Sequence, residues 1–213
     1  MKKAVFSIFF FLILSNAFCQ QIRTFNTLNL APTFSKKLNT FNVSYGEMIQ
    51  IKRAVPYRFL VSVNYSANLI KKGTWDADTK LGSKSLGINK NFLTSKFSIP
   101  IGFEIFSKNF GIGISQEILT ISNKKTIDSS KVQVNSPYSL QNIGASSILS
   151  SKSKNNTSTS LYVVYTLSDS FSLLGGINRD QVNFNYFRDS KKVDFSKYSE
   201  ISAFLSIRIN IEK

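Results

Sequence analysis

Along most of this chain hydrophobic and polar residues alternate with a period of two, as expected for strands with one apolar and one polar face. From Phe59 the odd positions read Phe59, Val61, Val63, Tyr65, Ala67 and Leu69, against Leu60, Ser62, Asn64, Ser66 and Asn68. From Phe97 they read Phe97, Ile99, Ile101, Phe103 and Ile105, against Ser98, Pro100, Gly102 and Glu104. From Ile201 they read Ile201, Ala203, Leu205, Ile207, Ile209 and Ile211, against Ser202, Phe204, Ser206, Arg208 and Asn210. The pattern predicts strands over 39–52, 57–70, 95–106, 109–123, 158–167, 170–187 and 196–211. Most reach the roughly ten residues that cross a bilayer as a tilted strand, about twice the length of an average globular strand.

The connections sharpen this picture. Residues 53–56, 107–109 and 168–170 are short; 71–94 and 124–157 are long, and 188–195 is intermediate. Tight turns on one side and loops on the other predict an up-and-down meander. For short turns to join every second pair, one more strand must precede residue 39, and 21–34 is the only candidate. The expected fold class is therefore all-β: an eight-stranded antiparallel up-and-down transmembrane β-barrel, apolar side chains outward and polar ones toward the axis. The segment 84–93 is an alternative extension of the strand that begins near 95.

Three features test the pattern. Glu47 falls on the apolar face formed by Phe41, Val43, Tyr45, Ile49 and Ile51. In 170–187 the apolar set moves from Phe171, Leu173 and Ile177 to Val182, Phe184 and Tyr186, which predicts either a bulge at 178–180 or the point where the strand leaves the membrane. Aromatics flank the short turns (Tyr57, Phe59, Phe106, Phe110, Tyr165, Phe171) and recur at the opposite ends (Tyr186, Phe187, Phe195, Tyr198), the distribution of two interfacial girdles.

The first residues read as an address. Lys2 and Lys3 precede the apolar run Ala4–Leu14, and Ser15-Asn16-Ala17-Phe18-Cys19 follows, the layout of a cleaved secretory signal peptide over 1–19. The rest, 20–213, is expected to be one barrel domain with long loops near 71–94, 124–157 and 188–195. A lipid-modified Cys19 is the weaker alternative, because Phe18 and Asn16 suit that processing poorly.

Composition removes several function classes. The 213 residues hold no histidine and one cysteine, so His-based triads, His-ligated metals and a disulfide framework are excluded. The net charge is +15, or +13 without Lys2 and Lys3. With export expected, the anionic partners are outer-membrane lipid, phosphorylated glycolipid and acidic polysaccharide rather than nucleic acid, with envelope proteins as further partners. No cofactor and no metal are expected. Asp76-Ala77-Asp78 resembles a fragment of a calcium loop but lacks its glycine and distal glutamate.

By parity the lumen receives Arg58, Asn64, Asn68, Glu104, Gly111, Gly113, Ser115, Glu117, Arg208 and Asn210. Arg58, Glu104 and Arg208 lie near the short-turn end and predict a lumenal ion pair or triad, with Glu117 a further ion-pair candidate. As a hydrolase pair, Glu104 and Glu117 would sit about 16 Å apart along the strands, too far for two carboxylates to share one bond. Basic residues concentrate in the connections. Lys71, Lys72, Lys124, Lys125, Lys191 and Lys192 are the anion-binding candidates; solvated loops are the plainer reading.

The chain resembles the small outer-membrane β-barrel proteins of Gram-negative envelopes, in particular the PorT-like barrel domain. The likeness rests on the signal peptide, on Val61-Ser62-Val63-Asn64-Tyr65-Ser66 followed by Lys71-Lys72-Gly73, and on Phe97-Ser98-Ile99-Pro100-Ile101. The Tyr165 to Gly175-Gly176 stretch and the alternating last strand also match. It covers 20–211 in layout and implies an integral outer-membrane location without implying one activity. The ending Ile209-Asn210-Ile211-Glu212-Lys213 departs from the terminal aromatic usual in such barrels. Three functions are consistent with the sequence. The first is a non-enzymatic barrel with a structural, adhesive or envelope-assembly role. The second is a narrow channel for ions or small solutes. The third is a soluble β-sandwich or lipocalin-like binding module, which would need Phe97, Ile99, Ile101, Phe103 and Ile105 inside.

Overall fold

The computed structural model describes residues 21–52, 56–76, 85–122, 126–127, 132–133, 139–142, 157–188 and 191–212. The expected signal peptide lies outside the described residues. Eight long strands follow one another among those described: β1 Gln21–Phe34, β2 Leu38–Lys52, β3 Tyr57–Ile70, β4 Phe92–Ser107, β5 Phe110–Ser122, β6 Ser158–Thr166, β7 Phe171–Arg188 and β8 Lys191–Glu212. Each pairs antiparallel with the next. β1 also pairs with β8, from Phe25 opposite Glu212 to Phe34 opposite Ala203. The sheet thus closes on itself and leaves no free edge in the wall. The weakly alternating segment 21–34 is the strand that completes the cylinder.

The connections differ from expectation at two places. Residues 188–195, expected as a loop, are mostly strand, because β7 and β8 pair as far as Arg188 opposite Lys191, with one register shift at Tyr186/Phe187. Of the segment 84–93, only Phe92 and Leu93 belong to β4 among the described residues. Ser85–Ile88 pairs with Gly73–Asp76, and Val132–Gln133 joins them in a small separate sheet.

Inside and outside are set by parity throughout the wall. Val61, Val63, Ile112, Ile114, Val163 and Leu205 are exposed on the outer surface, with Ile101 at 42% and Ile207 at 47%. Thr27, Asn64, Ser98, Glu104, Ser206 and Arg208 are buried within. This inverts the usual arrangement, in which apolar side chains are buried and polar ones face out. The inward placement that a soluble module would need is not found: Phe97, Ile101 and Ile105 lie on the outer face.

The irregularities have local causes. No register shift occurs at 178–180. Even positions of β7 stay inward (Ser172, Leu174, Asn178, Asp180, Val182), and only the chemistry of the two faces changes above Ile177. Besides the shift at Tyr186/Phe187, a bulge sits in β5, where Ile99 faces Leu119 and Pro100 faces Glu117, leaving Ile118 as the extra residue. A proline in a central strand is tolerated at such a break in the ladder. The bulge turns both Glu117 and Thr120 inward. Glu47 lies exposed on the outer face opposite Asn26.

The side chains of Tyr186, Phe187 and Phe195 lie outside those described; among the described ones, Phe106 and Tyr198 belong to the interior. Phe106 is buried with Tyr162, Val164 and Leu174. Tyr198 is buried in an apolar cluster with Leu38, Ile70, Trp75, Leu86, Ile88, Phe92 and Val182, which joins the small sheet to the loop-side part of the wall. The outer aromatics pack in pairs, Phe59 with Phe103 at 5.1 Å, Tyr65 with Phe97 at 4.9 Å and Phe110 with Tyr165 at 4.7 Å.

Candidate functional site: the lumenal ion-pair network

An eight-stranded barrel is just wide enough for its interior side chains to fill it, so charged lumenal groups must satisfy one another. Glu104 on β4 is the hub. Arg208 on β8, across the lumen, donates from Nη2 to Oε1 at 2.6 Å and from Nη1 to Oε2 at 3.0 Å. Tyr162 on β6 donates its hydroxyl to Oε1 at 2.9 Å. Arg58 is the direct cross-strand neighbour of Glu104, with Nη1 at 3.9 Å from Oε2. One carboxylate thus gathers groups from β3, β6 and β8.

The two arginines are held differently. Arg208 makes the two-pronged contact that best suits a guanidinium and a carboxylate, and its Nε donates to Asn29 Oδ1 at 3.0 Å. Arg58 is the looser partner: its Nε donates to Gln50 Oε1 at 3.2 Å and its guanidinium lies 3.8 Å from the Phe106 ring centroid. Space for the hub comes from β5. A Cβ on Gly113 would stand 2.4 Å from the Tyr162 ring and 2.9 Å from Glu104 Cγ, so only glycine lets these side chains meet there.

Glu117 does not join the arginines. It pairs with Lys96 at 2.8 Å and accepts a hydrogen bond from Ser98 Oγ at 2.8 Å. Its register partner is Pro100, four residues above Glu104 on β4, which puts the two glutamates roughly 13 Å apart along the strand. Such a separation does not make a shared catalytic pair. Nearby, Asp180 accepts from Asn178 Nδ2 at 3.0 Å on each oxygen and from Ser202 Oγ at 3.1 Å. Between the two charged layers lies a polar cavity of about 130 Å³ lined by Asn64, Lys96, Glu117, Asp180 and Arg208 among others. That is room for several waters.

Lys96 and Asp180 were missed by the sequence reading, although the signal was present. Carrying the even parity of β4 back by one step places Lys96 inside. Holding the parity of β7 through 178–180 does the same for Asp180.

The basic candidates separate into three groups. Lys71 and Lys72 follow β3 at the rim. The Lys71 backbone N–H donates to Lys37 O at 2.8 Å and its ammonium donates to Ser35 O at 2.7 Å. The Lys72 N–H donates to Asn91 Oδ1 at 2.8 Å. Lys191 and Lys192 are strand residues of β8, opposite Arg188 and Phe187. Lys124 and Lys125 lie outside the described residues, as does Asp78.

Compared with known proteins, the chain matches no family model and no curated protein. What the network can do therefore follows from its geometry. Glu104 and Glu117 each pair with a lumenal cation, and Asp180 is held by Asn178 and Ser202.

Proposed function

We propose that this protein is a non-enzymatic, integral outer-membrane β-barrel that anchors a basic loop-side surface in the cell envelope, in a structural, adhesive or assembly role. The observation that carries the reading is the inverted wall: an outer face dominated by exposed Val, Ile, Leu, Phe and Tyr, interrupted by Glu47, around a lumen of Thr, Ser, Asn and charged groups. Water would leave that face strongly disfavoured, at roughly 25 cal/mol per Å² of apolar surface, whereas hydrocarbon does not. The signal-peptide layout of 1–19 supports export, and the resemblance to PorT-like barrels supports the same compartment. Extraction with alkaline carbonate or urea tests the proposal. The protein should stay in the membrane fraction and migrate differently on gels before and after boiling; release into the soluble fraction would refute it.

A conducting pore has less support. The Glu104–Arg208 pair joins opposite walls, and the cluster around Trp75 and Tyr198 joins the small sheet to the loop-side part of the wall.

A further inference from the structure

We propose that the loop-side rim over β1–β4 is a binding site for a phosphorylated glycolipid of the outer leaflet. This deepens the membrane reading above and rests on it. Three connecting segments converge there: the turn 35–37, the exit of β3 at Lys71-Lys72, and Lys90-Asn91 before β4. They are tied by Lys71 N–H to Lys37 O, Lys71 Nζ to Ser35 O and Lys72 N–H to Asn91 Oδ1. The ties gather Lys36, Lys37, Lys71, Lys72 and Lys90, where the sequence shows only separate short basic runs. Lys36, Lys72 and Lys90 are exposed. Lys37 lies over the Trp75 ring at 5.9 Å, so the patch is seated on the buried loop-side cluster. Glu200 accepts a hydrogen bond from the Lys37 N–H at 3.4 Å.

The second observation lies directly below. On the outer wall at the same ends of the same strands, Phe34 and Leu93 are 60% and 61% exposed, with Phe41 next to them. Cations above an exposed apolar wall match a ligand with phosphate above acyl chains. A free polyanion would use only the lysines, and a neutral lipid only the wall. Loops face outward in barrels of this kind, which assigns the patch to the outer leaflet. Each lysine near an anionic surface adds a share of the attraction, which salt weakens within a Debye length.

The test uses the full mature chain in nanodiscs, with titrations of lipid A, of the same lipid with its phosphates removed, and of inorganic phosphate. The variants are K36S/K72S/K90S and F34S/L93S. The wild type should bind lipid A at least about tenfold more tightly than the lysine variant. The wall variant should also lose affinity, the dephosphorylated lipid should not distinguish wild type from lysine variant, and inorganic phosphate should not bind. Lipid A affinity within about twofold of wild type in the lysine variant, or equal wild-type affinity for the dephosphorylated lipid, overturns the proposal. Binding of inorganic phosphate with affinity equal to lipid A overturns it in favour of a free-anion site. Carbonate resistance and boiling-dependent gel mobility, measured on the same preparations, separate failure of this site from failure of the membrane reading.

Discussion

Glu104→Gln should destabilise the barrel much more than Arg58→Met, even though both break the same triad. Glu104 is fully buried and Arg208 is only 2% exposed, so neutralising the hub leaves a guanidinium inside the lumen without its counter-charge. Breaking a buried pair in this way costs about 3–5 kcal/mol. Arg58→Met removes a 3.9 Å contact, a 3.2 Å hydrogen bond to Gln50 and the stacking on Phe106, while Glu104 keeps both bonds to Arg208 and the one from Tyr162. Those losses sum to about 1–2 kcal/mol. Glu104→Gln/Arg208→Met should lose less than the sum of its single variants, since removing both charges removes the orphan. The assay is urea unfolding in lipid vesicles, followed by the fluorescence of Trp75, the single tryptophan of the chain, which is buried in the loop-side cluster. Equal midpoint shifts for Glu104→Gln and Arg58→Met would refute the hub assignment.

Further tests use the same assay or simple partners to it. Gly113→Ala should cost about 1–3 kcal/mol, because its Cβ would meet the Tyr162 ring at 2.4 Å, whereas Gly102→Ala, with its nearest neighbour at 3.4 Å, should stay close to wild type; similar losses at the two sites would argue against the steric account. Lys96→Met should cost about 3–5 kcal/mol by leaving Glu117 buried without its cation, and Lys96→Met/Glu117→Gln should recover part of that loss. No recovery would mean that Lys96 matters through packing and not through charge. In planar bilayers the pure wild-type protein should show no steady conductance; a reproducible unitary current would restore the channel reading.

Much of the wall was legible because period-two alternation directly encodes which side chain faces which side. The strands over 57–70 and near 95–106, 109–123 and 158–167 follow from it almost residue by residue, and so does the meeting of Arg58, Glu104 and Arg208. What was not legible lies where chemistry and parity part. In β7 the inward face turns from polar Asn178 and Asp180 to apolar Val182, which in sequence imitates a slip of phase. Phe106 and Tyr198 have inward parity but stand beside the ends of the strands expected over 95–106 and 196–211, where an aromatic suggests an interface; Tyr198 in fact lies well inside β8. The loop-side cluster was hidden for another reason. Its hairpin strands, Gly73–Asp76 and Ser85–Ile88, are four residues each, too short to show a period, and the cluster around Trp75 draws on residues as distant in sequence as Leu38 and Tyr198.

The bond between β4 and β8 also bears on mechanics and on the closing of the barrel. A sheet rolled into a tube resists stretching along its ladders but ovalises easily under lateral pressure. A short strut between strands half a circumference apart fixes one diameter and opposes that flattening. Because Arg208 also holds Asn29 of β1 at the closing seam, one guanidinium ties the strut to the place where the first and last strands meet. Bracing of the cross-section and closure of the seam therefore share a single side chain.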